Sequence, residues 1–231
     1  MYEQVVAINI GLAMLLAMSL NIITGFAGQP TLGHAAFYGI GAYTSALLTA
    51  KAGWPFLLAL PMAGLVAALV GVLLGLFSVR VREDFLAVTT IGINFVVVAI
   101  FQYVELFGAS LGLAVPKPEI FGLRFGNTEI LILLVILNIL VYLFMRHLPK
   151  SWLGLALGGV RNEEEAAASL GVNPDHYKVF AFGIGTFIAG MTGSVYAHFM
   201  GFISSTDFSF PVSVGVLSMA VLGGLGTVSG P

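Results

Sequence analysis

The chain has 231 residues, of which nine are Lys or Arg, eleven are Asp or Glu, and 58% are apolar. A soluble domain carries about 25% charged residues; at 9% this chain could not cover its outside with polar groups, so lipid must cover it. A net charge of -2 argues against a nucleic-acid partner, and the lack of cysteine excludes disulfides and thiolate-held metals.

The gaps between charges count the spans. No Asp, Glu, Lys or Arg lies between Glu3 and Lys51, Lys51 and Arg80, Asp84 and Glu105, Glu129 and Arg146, or Lys178 and Asp207, and none follows Asp207. Crossing the hydrocarbon core takes about 20 apolar residues in a helix. The first gap holds two spans and each of the others one, which predicts an all-α polytopic fold of about seven transmembrane helices. The apolar runs are continuous rather than alternating, which excludes a barrel. Lipid offers the backbone no hydrogen-bond partner, so the runs must be helical.

In chain order, the N-terminus MYEQVV lacks the basic start of a signal peptide, so the first run, 5–23, reads as a retained span. The segment TGFAGQPTLGH interrupts it before a second run at 35–50, and Trp54 and Pro55 mark an interface. Spans follow at 56–79 and 85–107. A loop over 108–128 leads to spans at 129–144 and 179–199, and a last stretch runs from 211 to 225. At about 15 residues that stretch is shorter than a span prefers. Gly71 and Gly75 form a GxxxG pair, and small residues of this kind let helices approach closely in lipid. Six of the nine basic residues fall in RVRED and 146–178, and the other three in loops on the opposite side. The basic excess places RVRED and 146–178 in the cytoplasm.

Within 146–178 lies GGVRNEEEAAASLGVNPDHYKVF. Asn162 followed by Glu165 reads as a capping box. The glutamates complement the positive helix end. Gly171 stands where a left-handed cap would fall, with Pro174 after it. The pattern predicts a short cytoplasmic helix over about 163–170. Such a helix is either a loop that folds or a docking element, and these residues alone leave both open. Its docking face would offer Ala166, Ala167 and Leu170.

Polar residues also lie in or beside the apolar runs, among them Asn21, Gln29, His34, Asn94, Gln102, Asn138 and His198. They face protein or water, and interhelical hydrogen bonding accounts for Asn138 and His198. The Gln29–His34 break is different. Glycine and proline free backbone groups there, which is tolerated where the break lines a cavity or is buried in protein. Gln29, Gly33 and His34 are therefore candidates for a translocation path. Ser194 and His198 share a helix face, but no third partner or oxyanion hole accompanies them, so no catalytic group is assigned. No phosphate-binding loop and no metal-ligand cluster occurs in the sequence.

The spacing Glu165-Ala166-Ala167, three residues, then Gly171 resembles the EAA---G motif of ABC importer permeases. GFAGQPTLGHAAFYGIGAYTSALL over 25–48, RVREDFLAVTTIGI and the ending SMAVLGGLGTVSGP resemble, in order and spacing, motifs of the LivM-like branched-chain amino-acid permeases. Pro30 departs from the usual residue there. That family usually has further spans, so an incomplete chain is expected, with 1–231 a single permease domain and 161–171 its coupling helix.

The resemblance implies a transport subunit rather than an enzyme, with Glu165, Ala166, Ala167, Leu170 and Gly171 coupling it to an ATPase. It implies two ABC ATPase subunits carrying ATP and Mg, a second homologous permease and an extracytoplasmic binding protein. This chain itself would hold no cofactor. The setting implied is a bacterial or archaeal cytoplasmic (inner) membrane, and the cargo branched-chain amino acids. A urea or short-amide permease shares these motifs. A gradient-driven transporter or channel would need a membrane-embedded acid or base, and no charge lies well inside a span.

Overall fold

The computed structural model describes residues 2–79, 83–120 and 123–228. Among these residues nine α-helices follow one another: α1 (Tyr2–Leu20), α2 (His34–Ala50), α3 (Phe56–Ser78), α4 (Glu83–Tyr103), α5 (Asn127–His147), α6 (Trp152–Asn162), α7 (Glu164–Ser169), α8 (Pro174–Met200) and α9 (Phe210–Gly223). A π-helical turn, Asn21–Phe26, continues α1. Among the described residues six helical stretches are long and apolar enough to cross a membrane: Tyr2–Phe26, Phe56–Ser78, Phe85–Tyr103, Asn127–Lys150, Pro174–Met200 and Ser205–Gly223. Helix α2, with 17 residues, is shorter and sits buried among them, so the expected count of about seven is close.

Helix α8 is the axis of the bundle, and α3 runs antiparallel to it. Gly64 faces Phe187 and Met191, Gly71 faces Thr186, and Gly75 faces Val179. The GxxxG pair therefore lies against α8. A Cβ at Gly71 would lie 2.0 Å from Thr186 Oγ1, and one at Gly41 would lie 2.1 Å from the Gly190 carbonyl. Ordinary contact needs about 3.5–4 Å, so these positions admit no side chain without parting the helices. Small residues do this packing because burial against water does not drive helix association in lipid.

Helices α1 and α5 run side by side in one direction, with Gln4 donating to Thr128 at 3.2 Å and Asn138 donating to the Gly11 carbonyl at 3.1 Å. Asn138 thus makes the expected interhelical bond.

At one end of the bundle the loops carry short antiparallel strands. Strand β1 (Leu113–Ala114) pairs with β4 (Phe202–Ile203), and β2 (Glu119–Ile120) pairs with β3 (Leu123–Arg124). Below them Tyr43 stacks on Phe101 at 4.1 Å, and Phe208 packs edge-on against Tyr38 at 5.3 Å. Helices α6 and α7 occupy the other end, where α8 begins. Across α8, 27 residues long, the two ends are about 40 Å apart. Helix α3 also finishes at the α6–α7 end, since Gly75 meets Val179. The basic Arg80 and Arg82 of RVRED lie outside the described residues.

The stretch 146–178 differs from the expectation of one short helix. Two helices form, and Asn162 is the last residue of α6 rather than the cap of the next helix. Glu163, extended at φ -151° and ψ 102°, is the pivot between them, and no side chain caps α7. The capping box with Glu165 therefore does not form. The cause is upstream: Ser151 accepts from the Gly154 N–H at 3.2 Å and starts α6. Leu153, Leu157 and Val160 carry α6 inward at helical spacing, with Leu157 and Val160 buried.

Candidate functional site

Helix α7 is held from three directions. Its C-terminus closes in a Schellman arrangement: Gly171 stands at φ +86°, its N–H donates to the Ala168 carbonyl at 3.0 Å, and the Val172 N–H donates to Ala167 at 3.1 Å. Gly171 thus adopts the left-handed cap expected of it. On one side Glu164 pairs with Lys178 of α8 at 2.5 Å, and Lys178 is buried. On another side Ala167 turns inward against α6, where a Cβ at Gly159 would lie 3.7 Å from the Ala167 Cβ.

The five candidate coupling residues therefore divide. Glu165, Ala166, Leu170 and Gly171 are exposed, and Leu170 stands out at 85% exposure. Ala167 is 5% exposed and belongs to the α6–α7 contact, not to the outer face. The result is a rigid, short helix whose free surface is a leucine tip, two alanines (Ala166 and Ala168) and an acidic first turn.

The break between α1 and α2 lies at the same end of the bundle and is packed in protein. Gln29 donates to Ser78 at the end of α3, at 3.4 Å. The Leu32 N–H donates to Thr90 Oγ1 of α4 at 3.0 Å. A Cβ at Gly33 would stand 2.3 Å from the Thr90 carbonyl. His34 Nε2 lies 2.7 Å from Ser19 Oγ, whose hydroxyl is 2.8 Å from the Leu16 carbonyl. With the Ser19 proton on Leu16, His34 carries its own on Nε2; this assignment follows from the bonding pattern. Among the described residues, His34 Nδ1 and Gln29 Oε1 are then buried without a partner. The structure buries Gln29, Gly33 and His34, each against a different helix: Gln29 meets α3, Gly33 meets α4 and His34 meets α1.

His198 and Ser194 do not form a nucleophile–base pair. The Ser194 hydroxyl donates to Ser45 Oγ at 2.7 Å, and the His198 ring reaches Ser194 through its carbonyl, at 2.9 Å, and Thr49 at 3.2 Å. The bonds to Ser45 and Thr49 tie α8 to α2, as expected of interhelical hydrogen bonds. Among the described residues no group of three His, Cys, Asp or Glu could hold a metal ion.

Two further participants are not among the candidates named from the sequence. Helix α6 was signalled by Ser151 ahead of an amphipathic run. Arg161, read only as a topogenic charge, donates to the Gly25 carbonyl in the π turn, and nothing local in the sequence foretells that contact.

Residues 5–231 match the protein family described as "Branched-chain amino acid transport system / permease component". The chain is 35% identical over 243 residues to the "High-affinity branched-chain amino acid transport system permease protein LivM" of Escherichia coli K12, covering 93% of this chain and 56% of that protein. The figures for the protein of the same name from Salmonella typhimurium LT2 are identical. A third relative, the "Probable branched-chain amino acid transport permease protein LivM" of Methanocaldococcus jannaschii, is 25% identical over 263 residues, covering 95% of this chain and 74% of that protein. The chain thus spans about half the length of the two bacterial relatives, 56% in each case. No solved structure matches it. With its helices, its small-residue packing and a match running from residue 5 to residue 231, this multi-pass membrane chain belongs to the branched-chain amino acid transport permease family.

Proposed function

We propose that the chain is the membrane-spanning permease subunit of an ATP-driven importer of branched-chain amino acids in a bacterial or archaeal cytoplasmic (inner) membrane. In this reading two ABC ATPase subunits bind ATP and Mg, and a second permease subunit completes the membrane part. A binding protein delivers the amino acid from outside. The observation that carries the reading is α7, in a chain matched by this family over nearly its whole length. A helix of six residues, closed by a glycine cap and tied to α8 by the Glu164–Lys178 pair, is stiff enough to pass on a push. Its exposed Leu170 offers a partner's groove an apolar anchor.

Glu165, Ala166, Leu170 and Gly171 form the docking surface, and Ala167 keeps that surface seated on α6. Gln29, Gly33 and His34 form the wall that closes the path at the α6–α7 end. Support for this comes from Gln29 Oε1 and His34 Nδ1, buried and without a partner among the described residues, polar atoms that a rearranged wall could present to a cargo.

The test is reconstitution. The permease, expressed with ABC ATPases and a second permease from the same organism, should retain the ATPases through purification. In proteoliposomes it should accumulate leucine, isoleucine or valine on ATP and loaded binding protein. Accumulation of urea or acetamide instead would redirect the cargo assignment. Accumulation driven by an ion gradient without ATP would overturn the reading.

A further inference from the structure

Three segments far apart in sequence converge on one point beside α7. The first is the end of α6, where Arg161 stands two residues before the Glu163 pivot. The second is the π turn that ends α1. Its carbonyls point out of the normal i to i+4 ladder, and Gly25 offers its oxygen to Arg161 Nη1. The third is the glycine-rich turn after α9. There the Gly226 N–H donates to Asn21 Oδ1 at 2.7 Å, and Asn21 Nδ2 donates to the Thr227 carbonyl at 2.8 Å. Asn21 is fully buried.

The fit leaves no slack. A Cβ at Gly25 would lie 1.9 Å from Asn21 Oδ1 and 2.5 Å from the Gly226 nitrogen. Gly226 stands at φ +80°, and a Cβ there would lie 2.1 Å from Arg161 Nη1. Gly28 passes over the stem of the same arginine, with a Cβ position 3.0 Å from Arg161 Cγ. The charge suits the place, because the end of a helix carries partial negative charge on its unpaired carbonyls, and a cation complements it. A planar guanidinium also fits between closely packed turns as a flexible ammonium does not.

We propose that Arg161 is a positioning residue for transport: it ties the α6–α7 pair to the π turn of α1 and to the glycine turn after α9, so that a displacement of α7 moves both. This rests on the ATPase-coupled function proposed above and adds to it a route into the membrane. Displacement of α7 leaves by two exits. One is the Glu164–Lys178 pair, which leads into α8. The other is Arg161, which leads into α1, and through Asn21 into the end of α9.

The test uses the complete transporter with Arg161→Gln, Gly226→Ala, their double variant and Arg161→Lys. Gly226→Ala displaces the guanidinium while leaving the arginine in place. Three quantities are read: ATPase retained on purification, ATP hydrolysis, and leucine uptake per ATP hydrolysed. Since coupling between sites commonly amounts to about 5–150-fold, each single variant should lower uptake per ATP about tenfold. ATPase retention should stay within about twofold of wild type, because the α7 surface is untouched. The double variant should be no worse than the worse single one, as expected of residues acting as a unit. Arg161→Lys should recover part of the loss by restoring one charged donor.

Normal uptake in Arg161→Gln would overturn the proposal, as would losses that multiply in the double variant. Failure of Arg161→Gln to assemble would overturn it in favour of a folding role. A wild-type transporter that couples normally beside such variants leaves the proposed function standing. A wild-type chain that captures no ATPase overturns the function and this inference together.

Discussion

Replacing Leu170 by alanine separates docking from folding. Leu170 is 85% exposed, so its truncation leaves the chain's own core intact and should change stability by no more than about 0.5 kcal/mol. If this side chain enters an apolar groove on the ATPase, truncation removes about three buried carbons. At about 0.8 kcal/mol per buried CH₂ that is about 2.4 kcal/mol, or about 50-fold in Kd. The assay is titration of the ATPase against the permease complex in nanodiscs, with thermal unfolding run in parallel. Ala166→Arg and Ala167→Arg complete the set. Ala166 is exposed, so arginine there should block docking without loss of stability; Ala167 is buried against α6, so arginine there should cost both. Unchanged ATPase affinity, within about twofold, in Leu170→Ala and Ala166→Arg would refute the docking surface.

Gly171→Val should strain the left-handed cap at φ +86° by about 1–3 kcal/mol, seen as faster proteolysis between α7 and α8. Gly190→Val should lower the unfolding temperature, because its Cβ would meet the Ala67 Cβ at 2.5 Å and the Ala63 carbonyl at 2.7 Å, an overpacking cost of about 1–3 kcal/mol. Gly92→Ala, with nothing within 4 Å of its Cβ, should by contrast be neutral or raise stability by up to about 1 kcal/mol. Because the chain has no cysteine, single cysteines at Asn162 and Lys117 report sidedness directly: an impermeant thiol reagent added outside should label position 117 and spare position 162.

The membrane class and the helical content were legible in the sequence because both rest on sums over many residues. Few charges, long uncharged runs and the backbone's need for internal bonding in lipid leave one architecture. Gly171 was legible for the opposite reason: a left-handed cap is a property of one residue and its neighbours, and the glycine and the proline after it announce it. What the tertiary structure decided is which way each helix faces. In lipid the buried and the outward faces are both apolar, so hydropathy does not mark the inside. On α5 Leu134 is 1% exposed and Leu140 is 57%, with the same side chain in the same kind of run. The same ambiguity hid the inward turn of Ala167, one of three successive alanines of which only it is buried. It hid the neighbours of the break as well: Ser78 and Thr90 meet Gln29 and Leu32 only once α3 and α4 have been rotated and docked. Longest in reach among the described residues are the Asn21–Thr227 and Asn21–Gly226 bonds, across 206 and 205 residues. No local preference encodes them; only the crossing of α1, α6 and the end of α9 brings those groups within a hydrogen bond.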